Sequence, residues 1–153
     1  MANTYTQTSI HAVFAVKGRQ NIISDKFREN LFRYIAGILN NNGHYSLAVN
    51  GYKDHVHIFF EQRPTKALSD TIQIVKANSS KWINDNKFVL GKFEWQEGYG
   101  GFSYSHSQRN NVIKYIMNQE KHHSKRTFRD EYLELLNKFE IKFQDEYVFE
   151  FYE

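Results

Sequence analysis

The run Asp54-His55-Val56-His57-Ile58-Phe59-Phe60 does most to restrict how this chain folds. Its Ile and Phe residues argue for a β-strand, in which residues i and i+2 project from one face. His55 and His57 then aim two imidazoles at one point, a natural start for a metal site. Alone the pair is weak, since the chain has 7 histidines in 153 residues. The bland alternative is a half-buried strand whose histidines face solvent or hydrogen-bond to neighbours.

A chain of 153 residues suits one domain with a proper core, so residues 1–153 are read as a single unit. Hydrophobic content of 41% with 16% aromatic residues indicates a globular core leaning on Phe and Tyr. No apolar run approaches membrane-spanning length, and Met1-Ala2-Asn3-Thr4-Tyr5-Thr6-Gln7 lacks signal-peptide features, so a cytoplasmic location without membrane contact is expected. The absence of cysteine excludes disulfides, thiolate zinc sites and Cys nucleophiles.

The net charge of +3 hides an asymmetry. Residues 106–129 hold six cations against the single anion Glu120, whereas residues 130–153 hold eight anions against two cations. A basic body with an acidic tail from about residue 140 favours a polyanionic partner. A solvated basic face would carry the same charge.

Ile10 to Val16 reads as a first strand ending in the basic loop Lys17-Gly18-Arg19. Ser24 is a candidate N-cap for a helix bearing Phe27, Leu31, Tyr34, Ile35 and Ile38, which Asn40-Asn41-Asn42-Gly43 ends. Tyr45 to Val49 and His55 to Phe60 are strands joined by a turn near Asn50-Gly51. Pro64, the only proline, precedes a helix over about 66–84. A strand around Phe93-Glu94-Trp95-Gln96 completes a β-α-β-β-α-β unit, a ferredoxin-like (RRM-like) α+β fold with an antiparallel sheet and helices on one face. The glycine-rich stretch Gly98-Tyr99-Gly100-Gly101 reads as a flexible connection, and it lacks the Gly-Lys-Ser/Thr ending of a P-loop. Ser105 or Ser107 then caps a helix through Ile116 and beyond, and another helix spans about Phe128 to Phe139.

Two histidines are too few ligands for a working metal site. On the helix after the glycines, Tyr115 and Gln119 stand at i and i+4 on one face. A Gln carbonyl is a hard oxygen donor and a Tyr hydroxyl a candidate nucleophile. With ten tyrosines in the chain, simple packing of Tyr115 is the competing explanation.

Three segments together resemble the insertion-sequence 200/605 family of single-tyrosine HUH transposases. They are Asp54-His55-Val56-His57-Ile58, the stretch from Phe93 through Gln96-Glu97-Gly98-Tyr99-Gly100-Gly101-Phe102-Ser103 to Ser105, and Tyr115-Ile116-Met117-Asn118-Gln119-Glu120-Lys121-His122-His123. Repeat-associated tyrosine transposases share the HUH and Tyr elements, but the Gly-Tyr-Gly-x-Phe-Ser stretch looks closer to the insertion-sequence group. The resemblance covers nearly the whole chain and is least beyond about residue 140. It implies that Tyr115, on a C-terminal nucleophile-bearing helix, is the nucleophile, and that His55, His57 and Gln119 bind a divalent metal, Mg²⁺ or Mn²⁺. It also implies a homodimer that cuts and rejoins single-stranded DNA at hairpin-bearing transposon ends through a phosphotyrosine.

That chemistry suits the residues. With a reference pKa near ~10, only about a thousandth of free tyrosine is ionised at neutral pH, so Tyr115 needs help. Lys114 sits about 100° around the helix and is not assigned that role. Lys17, Arg19, Arg63, Lys66, Lys76 and Lys81 are candidates for contact with the DNA backbone. His11 is read as structural, and His122-His123 as basic residues near a helix end, with a second metal site as the alternative. Tyr99 and Tyr104 are outside candidates for nucleophile. Two other functions compete: a domesticated or replication-type HUH nickase, and a non-catalytic ferredoxin-like nucleic-acid-binding module.

Overall fold

The structure, a computed structural model, describes residues 3–123 and 126–143, without the side chains of Arg19, His122 and His123. The expected DNA contact of Arg19, the alternative metal site at His122-His123 and the acidic tail from 144 onward lie outside the described residues.

The elements are β1 (Ser9–Ala15), α1 (Arg28–Asn41), β2 (Tyr45–Gly51), β3 (His55–Glu61), α2 (Leu68–Asp85), β4 (Gly100–Tyr104), α3 (Arg109–Met117), α4 (Gln119–His123) and α5 (Phe128–Lys138). The four strands form one sheet in the order β2-β3-β1-β4, antiparallel at every pair. This is the expected ferredoxin-like α+β arrangement, and β3 lies at its interior.

Strand alternation divides the sheet into two faces. Ala12 and Phe14 of β1 and Val56, Ile58 and Phe60 of β3 join Leu31, Ile35 and Leu39 of α1 and Ile72, Val75 and Ile83 of α2 in the main core. The opposite face carries His11, Val13 and Ala15 on β1 and His55, His57 and Phe59 on β3. There Val13 and Ala15 pack with Phe128, Tyr132, Leu135 and Leu136 of α5, and Phe59 packs with Val112 and Ile116 of α3. β3 is therefore covered on both sides, and His55 and His57 are fully buried; of the bland alternative's two outcomes, exposure to solvent is excluded, whereas both rings do hydrogen-bond to neighbours, His55 to Asp54 and His57 to His11.

The fourth strand differs from expectation. Residues 93–96 make only a single bridge, Trp95 to Val16, at the end of β1. The glycine-rich stretch expected to be a flexible connection enters the sheet instead, with Gly100 and Gly101 opposite Val13 and Ala12. Close approach explains the glycine: a Cβ on Gly100 would lie 2.8 Å from the Tyr132 hydroxyl oxygen and 3.0 Å from its Cε2, so any larger residue would push the Tyr132 ring of α5 aside. The first helix also starts later than Ser24. The Ser24 carbonyl accepts from the backbone of Phe27 and Arg28, which forms a turn ahead of α1.

The helix carrying Tyr115 and Gln119 is interrupted. α3 ends at Met117, Asn118 takes non-helical angles (φ −99°, ψ 19°), and α4 resumes at Gln119. The Asn50 side chain donates to the Ile116 carbonyl (2.9 Å), tying the end of α3 to β2. Among the described residues no helix is long and apolar enough to cross a membrane.

Candidate metal and nucleophile site

The two histidines reach the site from β3, whose start is held by its turn. The Asp54 carbonyl accepts from Val16 N–H (2.9 Å), and Tyr52 N–H donates to the His55 carbonyl (3.1 Å). Gly51 passes so close that a Cβ there would lie 2.2 Å from the His55 carbonyl oxygen. The local backbone thus sets where His55 begins.

Four expected residues meet within one chain. His55 Nε2 lies 3.0 Å from Gln119 Oε1. The Gln119 amide donates through Nε2 to Glu131 Oε2 (3.0 Å), and the Tyr115 hydroxyl donates to the same oxygen. The other carboxylate oxygen, Oε1, lies 3.0 Å from His57 Nε2 and 3.5 Å from His55 Nε2. Glu131 and Gln119 are fully buried. Despite the break at Asn118, Tyr115 and Gln119 still face one target.

Glu131 is the residue that sequence reasoning missed. It lies within the acidic C-terminal segment, yet the sequence carries a signal for it. Phe128, Glu131, Tyr132 and Leu135 recur at i, i+3, i+4 and i+7, so α5 carries one carboxylate on its buried stripe. An ionisable group there needs strong partners, because burying it alone is costly. Asp54, inside the histidine motif, also had no assigned role; its Oδ1 lies 2.8 Å from His55 Nδ1.

The donor chemistry fits a cation. With Asp54 Oδ1 accepting from its Nδ1–H, a neutral His55 turns the lone pair of Nε2 outward. That lone pair faces Gln119 Oε1, whose amide orientation is set by its own donation to Glu131, and also faces Glu131 Oε1. A neutral His55 thus leaves three acceptor atoms turned on one another, an arrangement that a metal cation would satisfy, as would a second proton on Nε2. The candidate ligand atoms of His55, His57 and Glu131 all lie within 4.8 Å of one another. His11, buried in β1, sets its Nε2 2.8 Å from His57 Nδ1, which supports the structural reading of that residue. For His57 Nε2 to present a lone pair, the proton shared by this pair sits on His57 Nδ1.

Tyr115 is not ionised in advance. Burial pushes its pKa well above the usual phenol value, and the charge and hydrogen bond of Glu131 push it further; Arg126 acts in the opposite direction. A cavity of about 310 Å³ opens beside the hydroxyl, lined by Tyr104, Asn111, Tyr115, Arg126, Glu131 and Lys138 among others. Tyr104 shares that lining, with its pKa raised to about 12 by burial.

The candidate DNA contacts whose side chains are described do not line this cavity. Lys76 and Lys81 are on α2, across the sheet. Lys76 donates to the carbonyls of Gln96 (2.8 Å) and Gly98 (2.6 Å), and Lys81 pairs with Asp85. Lys17 pairs with Glu94 at 3.2 Å. Arg63 and Lys66 share the loop between β3 and α2, where Lys66 Nζ lies 3.5 Å from Asn42 Oδ1.

Residues 4–119 match the family described as "Transposase IS200 like". The chain belongs to that family. A curated relative, the ISDra2 transposase TnpA of Deinococcus radiodurans, is 23% identical over 118 residues, which span 74% of this chain and 84% of the relative. Among solved structures, a putative transposase from the same organism superposes with a TM-score of 0.61 at 22% identity, covering 78% of this chain and 96% of that one. A REP-associated tyrosine transposase bound to a REP hairpin superposes with a TM-score of 0.59 at 12% identity, covering 80% of this chain and 73% of that one. These likenesses reinforce the fold. The family match stops at Gln119, so α5 and Glu131 lie beyond it.

Proposed function

We propose that this transposase-family protein cuts and rejoins single-stranded DNA at hairpin-bearing insertion-sequence ends, with Tyr115 as nucleophile and His55, His57 and Gln119 as ligands of Mg²⁺ or Mn²⁺. The observation that carries this reading is the convergence of Tyr115, Gln119, His55 and His57 around one buried carboxylate. When bound, the metal supplies Lewis-acid polarisation of the scissile phosphate.

The chain's own residues do the rest. Tyr115 Oη forms a bond to phosphorus as one P–O bond to a deoxyribose oxygen breaks. The phenolic proton passes to Glu131 Oε2, which the hydroxyl already faces, and the released sugar oxygen leaves as a hydroxyl after taking a proton from solvent. The phosphotyrosine retains a reactive phosphate ester. Attack by a DNA hydroxyl on its phosphorus breaks the bond to Tyr115 and reseals a strand without ATP, so strand transfer is favoured over simple nicking. The cavity beside Tyr115, with Arg126 and Lys138 in its lining, suits an anionic strand. The hairpin partner follows the family and the hairpin carried by the REP-associated relative. A homodimer built from one domain per chain belongs to the same reading.

The test is direct. Wild type and Tyr115→Phe are incubated with labelled single-stranded insertion-sequence ends and Mn²⁺, then run on a denaturing gel. A metal-dependent shifted band with wild type alone supports the reading, and its absence on cognate ends overturns it.

A further inference from the structure

Glu131 contacts more of the site than any residue assigned from the family, yet it stands outside the segment that matches the family. Its two oxygens face different partners. Oε1 lies 3.0 Å from His57 Nε2 and 3.5 Å from His55 Nε2, and Oε2 accepts from both the Tyr115 hydroxyl and the Gln119 amide. We infer that Glu131 is a further, anionic metal ligand through Oε1 and that, through the Oε2 that takes the phenolic proton, it also orients Tyr115. One carboxylate then sets the separation of metal and nucleophile. This rests on the metal-and-tyrosine reading proposed above and deepens it.

Three observations support ligation over passive burial. The ligand atoms of His55, His57 and Glu131 form a cluster within 4.8 Å, the spread expected of donors around one ion. His55 Nε2 and Glu131 Oε1 face each other at 3.5 Å, longer than an ordinary hydrogen bond and wide enough for both to turn on one ion. The Gln119 amide also uses its donor end on Glu131, which locks the carboxylate while leaving Gln119 Oε1 turned toward His55. Such locking is how outer hydrogen bonds orient a ligand.

The consequence for the site is its charge. His55, His57 and Gln119 alone would leave a divalent ion with its full charge, whereas Glu131 reduces it by one. The anchor comes from α5, held against the sheet by Phe128, Tyr132 and Leu135. Metal binding and presentation of Tyr115 therefore both depend on the docking of α5 in the same chain.

Calorimetric titration of Mn²⁺ into the full chain separates the outcomes, using wild type, Glu131→Gln, His57→Ala and Tyr115→Phe with melting temperature as a fold control. Glu131→Gln keeps the side-chain size and removes the charge. The expected result is a loss of about tenfold or more in Mn²⁺ affinity for Glu131→Gln at an unchanged melting temperature, with Tyr115→Phe binding as wild type. Glu131→Gln binding as tightly as wild type, or more tightly, while His57→Ala does not bind, overturns the inference and leaves the metal reading standing. Undiminished binding by His57→Ala overturns the metal reading itself. Glu131→Asp, which keeps the charge on a stem one methylene shorter, guards against a folding defect in Glu131→Gln. It is expected to bind Mn²⁺ but form the covalent DNA adduct more slowly at saturating metal; wild-type behaviour in both measurements also overturns the inference.

Discussion

Asp54 Oδ1 lies 2.8 Å from Nδ1 of His55, its neighbour in sequence, so the histidine that opens the motif is oriented by the residue just before it. A carboxylate on Nδ1 fixes the tautomer and raises the basicity of Nε2. Asp54→Asn keeps the shape and loses the charge. It should weaken Mn²⁺ binding by about tenfold or more, read by calorimetry, with little change in melting temperature.

Tyr115→Phe removes the proposed nucleophile and one hydrogen bond to Glu131. Covalent adduct formation should vanish. Stability should change by no more than about 1–3 kcal/mol, because the Gln119 amide still donates to the same oxygen. A chemical-denaturation curve and the gel assay check both halves.

Gly51→Ala places a methyl group 2.2 Å from the His55 carbonyl oxygen and 3.0 Å from Val56 Cα, both backbone atoms that cannot rotate away. The expected cost is about 1–3 kcal/mol, with a fall in melting temperature of several degrees. Mn²⁺ affinity should fall with it, since the strand that shifts carries both histidines.

Lys76 gives a pH signature. Burial lowers its pKa from the ordinary lysine value to about 8, although it donates to two carbonyls. The unfolded chain then holds a proton that the folded chain releases as pH rises above about 8, so stability increases from there toward pH 10. Urea unfolding at pH 7.5 and 9.5 should show that rise in wild type and a smaller one in Lys76→Met.

Metal preference follows from the donors. Two imidazole nitrogens tolerate Mn²⁺ better than Mg²⁺, which prefers oxygen surroundings. Mn²⁺ should bind more tightly, and equal affinities in calorimetry would contradict this.

Much of the site was legible along the chain because it rests on local periodicity. Residues i and i+2 of a strand share a face, and residues i and i+4 of a helix share a face, so His55 with His57 and Tyr115 with Gln119 could be paired without coordinates. The break at Asn118 did not undo the second pair, because both side chains still reach Glu131. The strand at 93–96 failed for the opposite reason. Its apolar residues suit a strand, but the position beside β1 went to Gly100–Tyr104, where Gly100 admits Tyr132 of α5.

The order of elements and the pairing of His55 with His57 and of Tyr115 with Gln119 were thus determined by the sequence, since each depends on residues within a turn or two of one another; the role of Tyr115 as candidate nucleophile came from the family resemblance. Tertiary structure alone decided that His55 and His57 face Tyr115 and Gln119 within one chain, and that Glu131 stands between them. His57 and Glu131 are 74 residues apart and meet only because α5 packs its apolar stripe on the sheet. No local pattern encodes such a contact; it follows from burying that stripe, and the histidine pair meets the Glu131 carboxylate only as a result.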